Sequence, residues 1–192
     1  MVRDPAKIPA LRQALEEGAD FGVGEISGLE SDPRFEVEAL APHSGRFFCC
    51  PDHPILKKGS RSPEDMAAYP WAGPRLPPRL GSHLPSGDFA AGHIDPINGE
   101  FVPAMHINIP LNLGLFLPGT NVLVLASLAL LESELAAGTA VPVPGFTFPS
   151  AYGFGYPKTR SMSPLALAYM AEIRAVEEEF RQREEKLAGI YG

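Results

Sequence analysis

Apolar and polar positions along this chain change period several times, and each change marks an expected element. Ile8, Leu11 and Leu15 share one helical face after Asp4-Pro5, an N-cap followed by proline at the first helical position, and Gly18 stops the run. Residues 21–26 read as a short, mostly buried strand. Residues 35–40 alternate with period two, and 46–50 form a further strand. Asp52-His53-Pro54 and Lys57-Lys58-Gly59 are turn material. Ser62-Pro63-Glu64-Asp65 opens a short helix ending near Tyr69, with acids in its first turn where the helix dipole favours them. A strand at 70–73 leads into a proline-rich loop through Pro78, and a short helix is expected near Phe89. A strand over 100–107, a helix over 110–117, a buried strand over 122–125 and a helix over 128–136 follow, then strands at 140–143 and 151–156. Residues 164–187 form a terminal helix with Ala166, Tyr169, Ile173, Val176 and Phe180 on one stripe. Its outer face carries Glu177 with Arg181 and Glu179 with Arg183 at i,i+4 spacing.

Strands alternating with helices imply an α/β fold with largely parallel sheets. Two boundaries, near 41–46 and 146–150, suggest one lobe inserted into another. Residues 1–43 and 149–192 make the first lobe and 44–148 the second, an arrangement suited to a hinged binding protein.

Composition narrows the class. A chain of 192 residues, 45% hydrophobic and 20% charged, is long enough to bury a core without staples. The net charge of −7 disfavours nonspecific attraction to DNA or to anionic lipid. Residues 101–131 carry no Asp, Glu, Lys or Arg, but Pro103, Pro110 and Pro118 break the stretch into pieces too short to span a membrane. The first thirty residues lack the apolar core of a secretory signal. Cys49 and Cys50 are adjacent and point to opposite faces of a strand, so they do not pair, which fits a reducing cytoplasm.

The chemistry-bearing residues form no catalytic or metal-binding pattern. His43, His53, His83, His93 and His106 make no short ligand pair with one another, and His93 with Asp95 reads as a solvated loop. There is no Gly-x-Ser-x-Gly elbow and no phosphate-binding loop. Gly22-Val23-Gly24 lacks the third glycine and the following helix of a dinucleotide site. Cys49 reads as core, and no cofactor is expected. Polar residues at strand ends remain. Ser27, Gly73 with Arg75, and Asn108 each follow a strand, where open α/β sheets take ligands, and Thr120 precedes one. Arg75 can either grip a carboxylate with two hydrogen bonds or stand as an ordinary exposed arginine.

A series of short motifs adds to this reading. Leu15-Glu16-Glu17-Gly18-Ala19-Asp20-Phe21, Glu38-Ala39-Leu40, Cys50-Pro51-Asp52-His53-Pro54 and Met66-Ala67-Ala68-Tyr69-Pro70 come first. The stretch led by Gly119, then Glu134-Leu135-Ala136-Ala137-Gly138 and Ser163-Pro164, follow. In this order and spacing the chain resembles the effector-binding domain of LysR-type transcription regulators over nearly its whole length. The resemblance implies the two-lobe, type 2 periplasmic-binding-protein-like fold and a sensing rather than enzymatic role. It implies a small, often anionic effector held between the lobes, with Ser27, Gly73, Arg75, Asn108 and Thr120 as candidate contacts. It also implies a cytoplasmic homodimer or homo-oligomer that reaches DNA only through a helix-turn-helix domain not seen in this chain. Against the family pattern, the first strand, first helix and second strand of the first lobe are not found, and the proline common after the strand ending at Leu125 is absent. The other function considered is a stand-alone solute-binding protein of the same fold.

Overall fold

A computed structural model describes residues 10–59, 61–81, 84, 89–107 and 112–192. In chain order its elements are α1 (Ala10–Glu17), β1 (Gly22–Glu25), β2 (Phe35–Ala39), β3 (Ser44–Cys49), α2 (Pro63–Ala67), β4 (Trp71–Gly73), α3 (Pro78–Gly81), β5 (Gly92–Ile94), β6 (Phe101–Pro103), β7 (Met105–His106), β8 (Leu123–Ala126), α4 (Glu132–Ala136), β9 (Val141–Pro149), β10 (Tyr152–Pro157) and α5 (Pro164–Tyr191). Single 3-10 turns occupy Pro54–Lys57, Leu113–Phe116 and Ala129–Leu131. Two units result, one of the residues up to His43 with Pro149–Glu185, the other of Ser44–Phe148 with Lys186–Gly192.

In the first unit β10 lies between β1 and β2 and runs antiparallel to both. The sequence Tyr152-Gly153-Phe154-Gly155-Tyr156 explains its two faces, because successive side chains of a strand point to opposite sides. Gly155 and Gly22 lie beneath α1 and its neighbouring turn. A Cβ on Gly155 would meet Leu29 at once and come within 3.5 Å of Leu15. The bare backbone therefore lets Leu11, Leu15 and Leu29 reach the sheet, where they pack with Phe35 and Val37. Phe154 is fully buried, with the Phe21 ring edge-on at 5.8 Å and the Arg174 guanidinium 5.1 Å above it. Arg174 also holds Glu38 with two hydrogen bonds of 2.7 and 2.8 Å, tying α5 to β2.

The inward stripe of α5 differs from the expected one. Ala166 and Met170 are buried and Ile173 and Phe180 half-buried, whereas Tyr169 and Val176 stand 64% and 63% exposed. The inward positions step by four and three residues, which brings Glu177 into the row. Its carboxylate lies 2.6 Å from His43 Nε2, and the His43 ring packs edge-on against Phe180 at 5.1 Å. Arg181 correspondingly pairs with Glu178 and Glu185 rather than with Glu177. An acid reads as a surface residue in a periodic pattern, whereas here its pairing with His43 turns it inward.

The second unit is a five-stranded sheet in the order β7-β4-β8-β3-β9. Alternation along its inner strands divides the core into two layers. Phe47, Cys49, Trp71, Leu123 and Leu125 face one cluster with Ile55, Met66, Phe101 and Phe148. Phe48, Ala72, Val124 and Ala126 face the other with Leu113, Leu117, Leu128, Leu131, Leu135 and Leu187. Each large side chain fully buried in these layers contributes roughly 1.5–3 kcal/mol. The α4 helix stops at Gly138, whose φ of +69° is the left-handed C-cap conformation. Its N–H donates to Leu135 O and that of Thr139 to Glu134 O. Among the described residues no helix is long and apolar enough to cross a membrane.

Three expectations are corrected. The sheets are mixed rather than largely parallel. β4 runs parallel to β7 and to β8, while β3 opposes β8, β5 opposes β6 and β10 opposes β1 and β2. The opposed strands β3 and β10 are the first after the chain passes from one unit to the other, where no helix turns the chain back to a parallel start. The helix expected near Phe89 is not formed at Phe89 or after it, and residues 85–88 fall outside the described residues. Phe89 bridges Gly92, and Gly92–Ile94 pairs with Phe101–Pro103 as a two-stranded ribbon. Its loop is built by Asp95, which accepts the N–H of Ile97 at 2.9 Å, while the N–H of Gly99 bonds back to Asp95 O. The strand over 100–107 is two strands, because Ala104 turns aside to bond Ala91 and β7 then joins β4 in a different sheet.

Candidate functional site

Of the expected helix-starting residues, Ser62 acts as a cap, while Asp4, Pro5 and Pro110 fall outside the described residues. Ser62 and Asp65 form a reciprocal capping box on α2, with bonds of 3.2 and 3.0 Å. His53 similarly opens its 3-10 turn, its Nδ1 accepting the N–H of Ile55 at 3.0 Å. The ring is 1% exposed and stacks edge-on against Tyr69 at 4.6 Å. Burial lowers the His53 pKa below its ordinary value of 6.5, and the nearby Asn121 backbone offsets this only in part. Nε2 has no hydrogen-bond partner among the described residues. A group that binds its proton more weakly when folded leaves the unfolded state holding more protons, so stability is fully present above the unfolded pKa. It should fall as pH drops from about 6.5 toward the depressed folded value. The urea midpoint of wild type should therefore decline across that window, and His53→Asn, which keeps the cap but cannot titrate, should flatten the decline.

At the opposite end of the second sheet several strand ends converge. Parallel strands β4 and β8 finish at Gly73 and Ala126, and the Ile107 N–H bonds Gly73 O at 2.9 Å just after β7. Because β3 runs the other way, Arg46 pairs directly with Ala126 and begins where β8 ends. Gly73 is buried there. A Cβ in its place would stand 3.2 Å from Leu125 Cβ and 3.3 Å from Leu125 O, tighter than ordinary contact, so glycine eases the close approach of the two strand ends. Two polar atoms at this edge, Arg46 Nε and Ser127 Oγ, are buried and have no hydrogen-bond partner among the described residues. A buried donor without a partner costs about 1–3 kcal/mol, a debt that a ligand can remove.

Of the residues singled out from sequence, Gly73 and Thr120 lie at opposite ends of the β4–β8 strands within the second unit. Gly73 lies at this edge, and Arg75 follows it. Arg75 is already engaged, with Nη1 3.2 Å from Asp95 and 3.4 Å from Glu100, clipping the β5–β6 ribbon beside β4. Thr120 lies before β8, at the far end of that strand. Its hydroxyl donates to Phe116 O at 2.6 Å and accepts the Val122 N–H at 3.2 Å, and its carbonyl faces Cys50 Sγ at 3.5 Å. Ser27 belongs to the first unit, where its N–H bonds the Glu25 carboxylate at 3.3 Å. Asn108 falls outside the described residues. Arg46 sits inside an expected strand and Ser127 just after one, so neither stands out along the chain as a site residue. The signal that would have found them is polar residues at the two ends of an otherwise apolar strand pair.

Cys49 is fully buried, and burial with the neighbouring Cys50 pushes its thiol up to about 12, so it is an inert core residue. Among the described residues no group of three or more His, Cys, Asp or Glu could hold a metal ion.

Two α/β units exchanged by repeated passage of one chain define the periplasmic-binding-protein-like class. The LysR substrate binding domain family matches residues 8–178, and the chain belongs to that family. The chain is 29% identical over 163 residues to the SDS degradation transcriptional activation protein of a Pseudomonas species, a match covering 82% of the chain and 50% of that relative. The chain thus spans about half the length of the curated relative it matches. Its fold is shared with the regulatory domain of MetR, a LysR family regulator from N. meningitidis, with a TM-score of 0.60 and 16% identity over 91% of this chain and 75% of that one. The effector domain of AmpR from Pseudomonas aeruginosa gives a TM-score of 0.54 and 17% identity over 88% and 78%.

Proposed function

We propose that the chain is the sensing module of a LysR-type transcription regulator and binds a small anionic effector at the C-terminal edge of the β4–β8 strands. The observation that supports this most directly is the pair of buried, unpartnered donors Arg46 Nε and Ser127 Oγ beside the close-packed Gly73. A guanidinium N–H and a hydroxyl, both at this strand edge, are donors that the oxygens of a carboxylate or a sulfate ester can accept. The Pseudomonas relative, by its name, activates transcription for SDS degradation, which makes an alkyl sulfate the first effector to test. Action on DNA through a helix-turn-helix outside the matched region, self-association and residence in the cytoplasm belong to the same proposal.

Calorimetric titration of the chain with decyl sulfate below its micelle concentration is the test. Arg46→Gln should weaken binding by about 1.5–3 kcal/mol, the loss of one charge-assisted hydrogen bond. Ser127→Ala should weaken it less, and Arg75→Ala should leave it unchanged because Arg75 serves Asp95 and Glu100. Equal affinity for wild type and Arg46→Gln would remove this edge from the site.

A further inference from the structure

The first unit carries a second feature, at the edge of its sheet away from Ser27. Where β2 begins and β10 ends, an open groove of about 590 Å³ is lined by Leu15, Glu16, Pro33–Phe35 and Pro157–Arg160. Its volume falls within the range of small-molecule pockets, roughly 300–1,000 Å³. Its floor is apolar, since Leu15 and Phe35 are 1% and 6% exposed and prolines 33 and 157 flank them. Its rim is cationic, and its cations are of two kinds.

Arg34 is spent within the protein. It grips Asp32 with bonds of 2.7 and 2.9 Å, reaches Glu16 at 2.8 Å and lies 5.1 Å over the Phe35 ring. It thereby offsets Glu16, the one carboxylate lining the groove among the described residues. Lys158 and Arg160 are not spent. Neither forms an ion pair with a described residue, and the one side-chain bond of Arg160 is a long 3.4 Å contact to Ala19 O. The turn that carries them is anchored, with the Lys158 N–H on Arg34 O at 3.0 Å and the Arg160 N–H on Pro157 O at 3.3 Å. Two uncompensated cations are thus set on a fixed turn beside an apolar floor.

We infer that this groove is a second ligand site, for a small anion bearing an apolar tail. The head group lies between Lys158 and Arg160 and the tail over Leu15, Phe35 and Pro157. Either component alone is weak, because exposed cations bind free anions poorly in water and an open apolar floor holds little by itself. The class is therefore a medium-chain carboxylate or an equivalent ester monoanion, not a free inorganic ion. This site is independent of the edge formed by Arg46 and Ser127, which lies in the other unit.

Backbone-amide NMR of the whole chain, titrated with octanoate, tests it. Saturable shifts are expected at Leu15, Arg34, Phe35, Lys158, Thr159 and Arg160. Lys158→Gln combined with Arg160→Gln should raise the dissociation constant roughly tenfold or more. Lys158→Gln alone, at an exposed position where folding is not at stake, should raise it by a smaller factor. Acetate, which lacks the tail, and octanol, which lacks the charge, should both bind far more weakly. Arg46→Gln should leave these shifts as they are, which separates failure of this site from failure of the other. Octanoate shifts confined to other residues, or an affinity unchanged by the charge substitutions, or octanol binding as tightly as octanoate, would overturn the inference.

Discussion

Phe47→Ala is expected to destabilise the second unit by about 3–5 kcal/mol, the cost of removing a fully enclosed aromatic ring and leaving part of its volume empty. Phe47 has no solvent exposure and pairs with Leu125 across the β3–β8 ladder. Its ring centre lies 4.4 Å from that of Trp71 on β4 and 5.4 Å from that of Phe148 on β9. One side chain therefore joins three strands, and the neighbouring rings cannot follow it inward because each is pinned by its own contacts. The Trp71 indole N–H is fixed on Met66 O at 2.9 Å, and Phe101 packs on its other side. Trp71 is the chain's only tryptophan, so its fluorescence reports this unit during urea unfolding. A loss well below 1.5 kcal/mol would mean that the site collapses freely and that the layer is not packed as described.

Gly153→Val should unsettle the first unit by about 3 kcal/mol, the upper part of the range for forcing volume into packed structure. Gly153 pairs with Ala39 in the central strand β10. A Cβ there would stand 2.9 Å from Ile26 Cδ1 and 3.0 Å from Ala39 Cα, and closer still to the Glu38 carbonyl. Ile26 could turn aside, but the backbone of β2 can move only by giving up its ladder with β10. The expected result is early loss of amide-exchange protection along β2 and β10, with Trp71 fluorescence in the second unit little changed. Full protection of Val37 and Gly155 in the variant would show that the strands lie further apart than they do here.

What could be read along the chain, and what could not, divides by range of interaction. The caps at Ser62 and His53, the stop at Gly18 and the buried strands β3 and β8 depend on neighbours a few residues away, and their residue types announce them. The β5–β6 ribbon is equally local, since Asp95-Pro96-Ile97-Asn98-Gly99 is turn chemistry, yet residues 80–100 are too weakly patterned to show it beside the helix expected near Phe89. Among the candidate site residues, Gly73 was legible because it closes a strand. Arg75 was visible as a cation, but its commitment to Asp95 and Glu100 depends on a ribbon that folds back twenty residues later.

The order of residue types thus determined by itself the α/β class and the placement of most elements, because periodicity, capping and turn chemistry act over short stretches of backbone, and its ordered motifs carry the resemblance to the family. Tertiary structure alone decided which strands oppose one another, since pairing joins residues as distant as Gly22 and Gly155. It alone placed Glu177 on the inward face of α5 against His43, 134 residues away, where a local pattern sees only a charged helix. It also left Arg46 Nε and Ser127 Oγ buried without partners among the described residues while Arg75 and Thr120 were satisfied. Whether a polar group is free to bind depends on every other group within reach of it, and that set is assembled only when the chain folds.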